Sequence, residues 1–155
     1  MKIIPVKLPH KSASIPCYVD GEDYAVYSGL KWCLTAGYAS RSFNGKTTYL
    51  HRLIMKPERG QVIDHINGNK LENRKKNLRV CAHRENIRNQ RLSIANTSGY
   101  KGVTWSKRDK RFIAQITADK NHYCLGYFKS AIEAAQAYDE AAEKLHGQYA
   151  KLNGV

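Results

Sequence analysis

A chain of 155 residues is long enough for one ordinary domain or two small ones, and its 42% hydrophobic content supplies a core without a run long enough to span a membrane. The formal net charge of +13 excludes little alone but points to a polyanionic partner, because Lys and Arg gain affinity by releasing counterions from phosphates. The N-terminus, Met1-Lys2-Ile3-Ile4-Pro5, lacks the apolar stretch and cleavage site of a signal peptide, so a cytoplasmic, intracellular location is expected, with no membrane partner. Cys17, Cys33, Cys81 and Cys124 are far apart with no C-x-x-C pair. That argues against a zinc finger or a disulfide framework and leaves buried free thiols as the expectation.

Residues 1–50 read as a strand-rich region. Ile3, Ile4 and Val6 form one short apolar run, and Ala13 to Val19 a second. Asp20 is placed to N-cap a helix over Glu22 to Leu30, with Tyr24, Tyr27 and Leu30 on one face. Trp32 to Leu34 predicts a strand turned at Ala36-Gly37. Asn44-Gly45, flanked by Tyr38 to Arg41 and Thr47 to Leu50, predicts a β-hairpin, since Asn-Gly tolerates the positive φ of a tight turn.

Residues 51–92 carry the densest charge, +7 against +3 in each flanking segment. Leu50 to Lys56 predicts a helical turn stopped by Pro57, and Gln61 to His65 a strand. Here Asp64 and His65 sit side by side where an apolar run ends. Phosphodiester hydrolysis needs a large rate enhancement, of order 8–23 kcal/mol off the barrier for enzymes in general. A positioned base supplies only about 10²–10⁴-fold. The site therefore also needs a cation, and Asp64 with the amide oxygen of Asn86 offers the oxygen donors that suit Mg²⁺ or Mn²⁺. Strict alternation along a strand would send Asp64 and His65 to opposite faces, so either the strand ends or bulges there or one of the two is not in the site.

Ser93 to Gly99 lacks periodicity and reads as a linker. From Tyr100 to Val155 a new pattern predicts three strands, around Val103-Thr104-Trp105, Phe112 to Ile116 and Tyr123 to Phe128. A helix follows from Ala131 to His146, with a Ser130/Glu133 capping box and Gly147 at its C-terminus. Ala135, Tyr138, Ala142 and Leu145 are expected to share its buried face.

Leu50-His51-Arg52-Leu53-Ile54, Val62-Ile63-Asp64-His65-Ile66-Asn67-Gly68-Asn69, Asn77-Leu78-Arg79 and Glu85-Asn86 resemble the HNH homing endonucleases, whose core is a ββα-metal finger. The resemblance implies a general base at His65, a metal-binding carboxylate at Asp64, and a loop-fastening Asn at Asn77. It places the helix metal ligand at Asn86, with His83 as second choice. His51 would be a packing or DNA-contacting residue, and Arg52, Arg79, Arg84 and Arg88 are the basic side chains expected on DNA.

Tyr100-Lys101-Gly102-Val103, Leu125-Gly126-Tyr127-Phe128, Ala134 to Asp139 and Leu145 to Asn153 resemble the Apetala-type, ethylene-response-factor DNA-binding domain, a three-stranded antiparallel sheet backed by one helix. By position Lys101, Gly102, Thr104, Arg111, Gln115 and His122 fall where that family contacts DNA. The plant domains have Arg at the Lys101, Thr104 and His122 positions and Trp at Cys124. Bidentate Arg-to-guanine readout is thus largely missing, while Gln115 is able to pair with adenine. Trp105 and Tyr123 are candidates to pack on sugars or thymine methyls.

The expected architecture is α+β. A strand-rich region (1–50), an HNH core (51–92), a linker (93–99) and a sheet-plus-helix module (100–155) follow in order. The expected function is a phage- or mobile-element-type, metal-dependent DNA endonuclease acting on double-stranded DNA as a monomer or homodimer. The alternative is a DNA-binding regulator with an inactive nuclease core.

Overall fold

The computed structural model describes residues 1–89, 92 and 96–155, so residues 93–95 of the expected linker lie outside the described residues. The chain divides into two compact units, Met1–Asn86 and Ile87–Val155. Both mix strands with short helices, giving an α+β fold, and no helix among the described residues is long and apolar enough to cross a membrane.

In the first unit, β1 (Lys2–Lys7) and β2 (Ser14–Val19) are antiparallel partners, with Ile4 opposite Cys17 and Val6 opposite Ile15. Helix α1 (Gly21–Tyr27) follows, then β3 (Trp32–Thr35), β4 (Tyr38–Phe43) and β5 (Lys46–Tyr49), giving a sheet in the order β2-β1-β3-β4-β5. Asn44 and Gly45 take φ of 48° and 72° in the tight turn that the sequence predicts between β4 and β5. Helix α2 (Leu50–Met55) ends at Lys56, which is left-handed, just before Pro57. A separate antiparallel pair, β6 (Val62–His65) and β7 (Leu78–Cys81), leads into α3 (His83–Arg88).

Helix α1 stops three residues short of Leu30, and Asp20 does not cap it with its side chain. The Asp20 carboxylate is taken instead by the backbone N–H of Lys75, at 2.8 Å, at the start of a short 3₁₀ turn. Two exposed helix ends compete for one acceptor, and the second wins.

Alternation along the strands builds one core from most of these elements. Ile4 and Val6 of β1, Cys17 and Val19 of β2, Trp32, Ala39, Leu50, Ile54, Ile63 of β6 and Leu78 of β7 are all buried in it. The β6–β7 pair, two strands that alone would be marginal, is thus held by the core of the larger sheet.

The loop from 66 to 77 between β6 and β7 is fastened to the free edge of β2. Tyr18 donates its N–H to Leu71 O at 2.8 Å, and its carbonyl accepts from Asn73 N–H at 2.7 Å. Inside the loop, Asn67 and Asn69 use their side-chain oxygens to accept from Asn69 N–H and Leu71 N–H, the local turn chemistry that makes Asn a loop former.

The second unit contains β8 (Val103–Ser106), β9 (Arg111–Ala118) and β10 (Asn121–Phe128), antiparallel in the order β10-β9-β8, and α4 (Ala131–His146). The Ser130/Glu133 capping box forms as the sequence predicts. Val103, Ala114, Ile116, Ala134, Ala135, Tyr138 and Ala142 make up its buried core residues.

Leu145 is 39% exposed and does not share the buried face, whereas His146 is buried. At 3.6 residues per turn Leu145 lies about 80° from Ala135 and His146 about 20°, so the stripe runs 135, 138, 142, 146. The expectation of four buried thiols also needs correction, since Cys33 and Cys124 are exposed. Both sit on strand positions that alternate away from the core.

Gly102 is a packing requirement. A methyl group there would come within 2.0 Å of the Tyr138 ring and 2.8 Å of Gln115 O, at φ +73°. Gly99 has a similar φ of +79° but open space around it. Gly102→Ala should therefore destabilise by about 2–4 kcal/mol and Gly99→Ala by about 1 kcal/mol in urea titrations. Equal costs would show that the Tyr138 contact does not set the requirement.

Candidate active site

β6 carries Asp64 and His65 as consecutive buried residues, 4% and 5% exposed. The strand has no bulge: Asp64 pairs with Arg79 and His65 with Leu78, and β6 ends at His65. Period-two alternation therefore gives the two side chains different surroundings. Asp64 faces Arg79, which donates from Nε at 2.8 Å and Nη2 at 2.6 Å to Oδ2. The pairing follows from register, since the two residues are directly opposite across the hairpin.

His65 turns toward a buried polar and aromatic cluster. Its Nε2 meets Asn73 Oδ1 at 3.1 Å. Its ring centroid lies 5.3 Å from His51 and 5.9 Å from Tyr38, and the His51 ring stacks on Tyr49 at 5.7 Å. Lys70 Nζ sits 4.3 Å over the Tyr38 ring and donates to Ala36 O at 3.0 Å. Burial lowers the His65 pKa below its ordinary value, opposed by the Asn73 hydrogen bond and the Asp64 charge. The imidazole is thus neutral near pH 7, the state that can accept a proton. Burial, with His65 and Arg52 nearby, pulls the His51 pKa down to about 3.

Asn77 fastens the loop that follows His65. Its Oδ1 accepts from Asn67 N–H at 3.0 Å, while its Nδ2 donates to Asn67 Oδ1 at 3.0 Å and to Glu72 O at 2.8 Å. Asn86, half-buried in α3, and His83, exposed in the same helix, are the candidate helix ligands.

Among the described residues no three His, Cys, Asp or Glu side chains group as a metal cage. The Asp64 carboxylate is held by Arg79, and carboxylate and amide oxygens are in general the donor types that suit a hard cation. Mg²⁺ characteristically takes one or two protein oxygens and completes its octahedron with water and substrate oxygens.

Of the basic residues expected on DNA, Arg52 and Arg84 are exposed, Arg79 is engaged with Asp64, and Arg88 donates to Asp119 at 3.0 Å. In the second unit Thr104, Arg111, Gln115 and His122 are exposed on the sheet face opposite α4. Register brings Gln115 opposite Cys124, and Thr117 opposite His122 with Oγ1 3.2 Å from its Nε2. Lys101 is half-buried, with Nζ on Arg88 O, and burial lowers its pKa to about 8. Gly102 packs against Tyr138. Trp105 and Tyr123 are not on the Gln115 face. They pair with Phe112 and Ile116, on the side that holds α4, because side chains alternate along each strand.

Two residues of the His65 cluster were not legible in the sequence as site residues, Asn73 and Tyr38. Asn73 lies eight positions from His65 in a loop, where no periodicity signals contact. The only available hint is the recurrence of Asn at 67, 69, 73 and 77.

An HNH endonuclease family model matches residues 48–88, and an AP2 domain model matches residues 98–148. The chain belongs to the HNH endonuclease family and carries an AP2 domain C-terminal to its HNH segment. Protein 3.8 of Escherichia phage T7 is 35% identical, over 61% of this chain and 77% of its own length. An uncharacterized HNH endonuclease of Acanthamoeba polyphaga mimivirus is 26% identical over 89% of this chain and 74% of its own. An AP2/ERF and B3 domain-containing transcription factor of Arabidopsis thaliana is 47% identical over 34% of this chain, which spans only 15% of that protein. No solved structure matches the chain significantly.

The buried His51 generates a pH signature. Its folded pKa of about 3 lies below the ordinary 6.5, so between those values the unfolded chain binds a proton that the folded chain does not. Stability from this group is complete above about pH 6.5 and falls with pH by up to about 1.4 kcal/mol per unit, until pH reaches the folded value. His51→Phe keeps a ring against Tyr49 and removes the titration. Between pH 7 and pH 5 the wild type should lose about 2 kcal/mol more than the variant in urea unfolding. Parallel losses would show that His51 does not remain neutral.

Proposed function

We propose that the chain is a metal-dependent DNA endonuclease of the ββα-metal type that hydrolyses phosphodiester bonds. The observation that carries this reading is a buried His65 directly after the buried carboxylate of Asp64, on a strand whose following loop is fastened by Asn77. Its setting is a family match over residues 48–88. His65 takes a proton from the water that attacks phosphorus. The bond from phosphorus to the 3′ oxygen breaks as the water attacks, leaving 5′-phosphate and 3′-hydroxyl ends, while Asn77 keeps the loop from shifting the imidazole. A Mg²⁺ or Mn²⁺ ion held by Asp64 and Asn86 would polarise the phosphoryl oxygen and neutralise charge on the departing 3′ oxygen. Within the helix Asn86 ranks above the exposed His83 because it is half-buried.

The AP2 sheet brings double-stranded DNA to the chain. Thr104, Arg111, Gln115 and His122 line its open face, where Gln115 is able to read adenine and Arg111 a phosphate or guanine. Arg52 and Arg84 supply exposed positive charge in the nuclease segment. Two linked DNA-binding surfaces raise the effective concentration of each. The phage relative supports a phage or mobile-element setting, and the proposal adds to it a homing role in the cytoplasm of a bacterial host. One active site per chain predicts a nick by a monomer, and a double-strand break only from a pair of chains.

The competing reading is a DNA-binding regulator with an inactive core, which draws on the Arg79 ion pair that already occupies Asp64. A supercoiled-plasmid assay separates the two. Wild type with Mg²⁺ or Mn²⁺ should nick the plasmid, and EDTA should abolish cutting. His65→Ala should slow it by about 10²–10⁴-fold, the contribution of a positioned base. A plasmid left intact with both metals, or undiminished cutting by His65→Ala, contradicts the proposal.

A further inference from the structure

A general base works only if the nitrogen facing its proton donor carries the lone pair. Neutral imidazole has one N–H and one lone pair, so something must decide which nitrogen holds which. In this fold the decision can be traced to one buried side chain.

Asn73 is 1% exposed, so its amide finds its partners within the protein. Its Nδ2 donates to Cys17 Sγ at 3.0 Å and to Lys70 O at 3.4 Å. Those contacts set the direction of the amide, because a flipped amide would press its oxygen against the Lys70 carbonyl. Oδ1 therefore faces His65 Nε2, at 3.1 Å. An amide oxygen only accepts, so Nε2 must carry the hydrogen. Asn73 itself cannot drift, since its N–H donates to Tyr18 O at 2.7 Å on the edge of β2. The Cys17 thiol beneath it is buried, with its pKa raised to about 11, and remains a neutral partner.

We infer that Asn73 is the positioning residue that fixes the His65 imidazole with its proton on Nε2 and its lone pair on Nδ1. The inference rests on the reading of His65 as the base, but the hydrogen bond it names is observable without catalysis. The chain thereby joins β2, the 66–77 loop and β6 through Cys17, Asn73 and His65, three residues that the sequence separates by up to 56 positions.

Long-range ¹H–¹⁵N spectra of the histidine side chains, taken on the full-length ¹⁵N-labelled wild type, test the assignment without a variant. His65 should show a protonated Nε2 and an unprotonated Nδ1. Asn73→Ala should show a mixture of the two tautomers, with kcat for plasmid nicking lower by about 10–100-fold and KM little changed, as for loss of a group that orients a working imidazole. A proton on Nδ1 in the wild type overturns the assignment even where His65→Ala is inactive. So does a folded Asn73→Ala that keeps the wild-type kcat and tautomer. A proton on Nε2 together with full cutting by His65→Ala supports the positioning role and overturns only the reading of His65 as base.

Discussion

The edge of β2 is where the first unit commits itself. An outer strand leaves a row of backbone groups open, and proteins usually blunt or cover such edges. Here the amide and carbonyl of Tyr18 are covered by Leu71 and Asn73 of the 66–77 loop. Asp20, just beyond the strand, takes the N–H of Lys75. A twelve-residue excursion that would otherwise be free to move is thus tied at several points to the sheet. Two of its amides then take up fixed roles, Asn73 on His65 just before the loop and Asn77 on Asn67 and Glu72 within it.

From that tether comes an unusual core. His51, Asp64, His65, Glu72, Asn73 and Asn77 are all buried among or beside the apolar residues of the sheet. Each would be costly to desolvate alone; polar partners offset the cost for Asp64, His65, Glu72, Asn73 and Asn77, while His51 packs against the rings of Tyr38, Tyr49 and His65. Asp64 has Arg79, Asn73 has Cys17 and His65, and Asn77 has Asn67 and Glu72. A buried ion pair such as Asp64–Arg79 is weak support for stability, since desolvation can exceed the Coulomb gain. On the proposed function, it is a carboxylate held ready with its charge balanced. Rigid polar networks of this kind favour a site whose geometry does not have to be rebuilt at each turnover.

The sequence spoke clearly wherever the signal was local. The Asn44-Gly45 turn, the stop of α2 before Pro57, the Ser130/Glu133 capping box and the three strands of the second unit all follow from short-range chemistry. Strand alternation in β9 was equally legible, and it also corrects the reading of Trp105 and Tyr123 once the register is known. What could not be read was long-range. Asp20 looked like a helix cap because the N–H that claims it lies 55 residues away. Asn73 looked like any loop Asn, because its meaning depends on Cys17 and His65 arriving at the same point. Candidate metal and base residues were visible as types in a pattern, but the faces they take were not. The pairing of Asp64 with Arg79 needs the β6–β7 register to be seen.

The second unit separates contact surface from scaffold. Gly102 and Lys101 occupy positions expected to touch DNA, yet one packs on Tyr138 and the other donates to Arg88 O. Thr104, Arg111, Gln115 and His122 remain open to solvent on one face. Whether the His65 imidazole itself moves the proton decides the proposed chemistry. Chemical rescue asks this directly. His65→Gly leaves a space of imidazole size, and added imidazole should restore plasmid nicking to that variant, in proportion to the unprotonated imidazole present, while leaving wild-type rates unchanged. A His65→Gly chain that folds, binds DNA and nicks no faster with imidazole than without it would contradict the account.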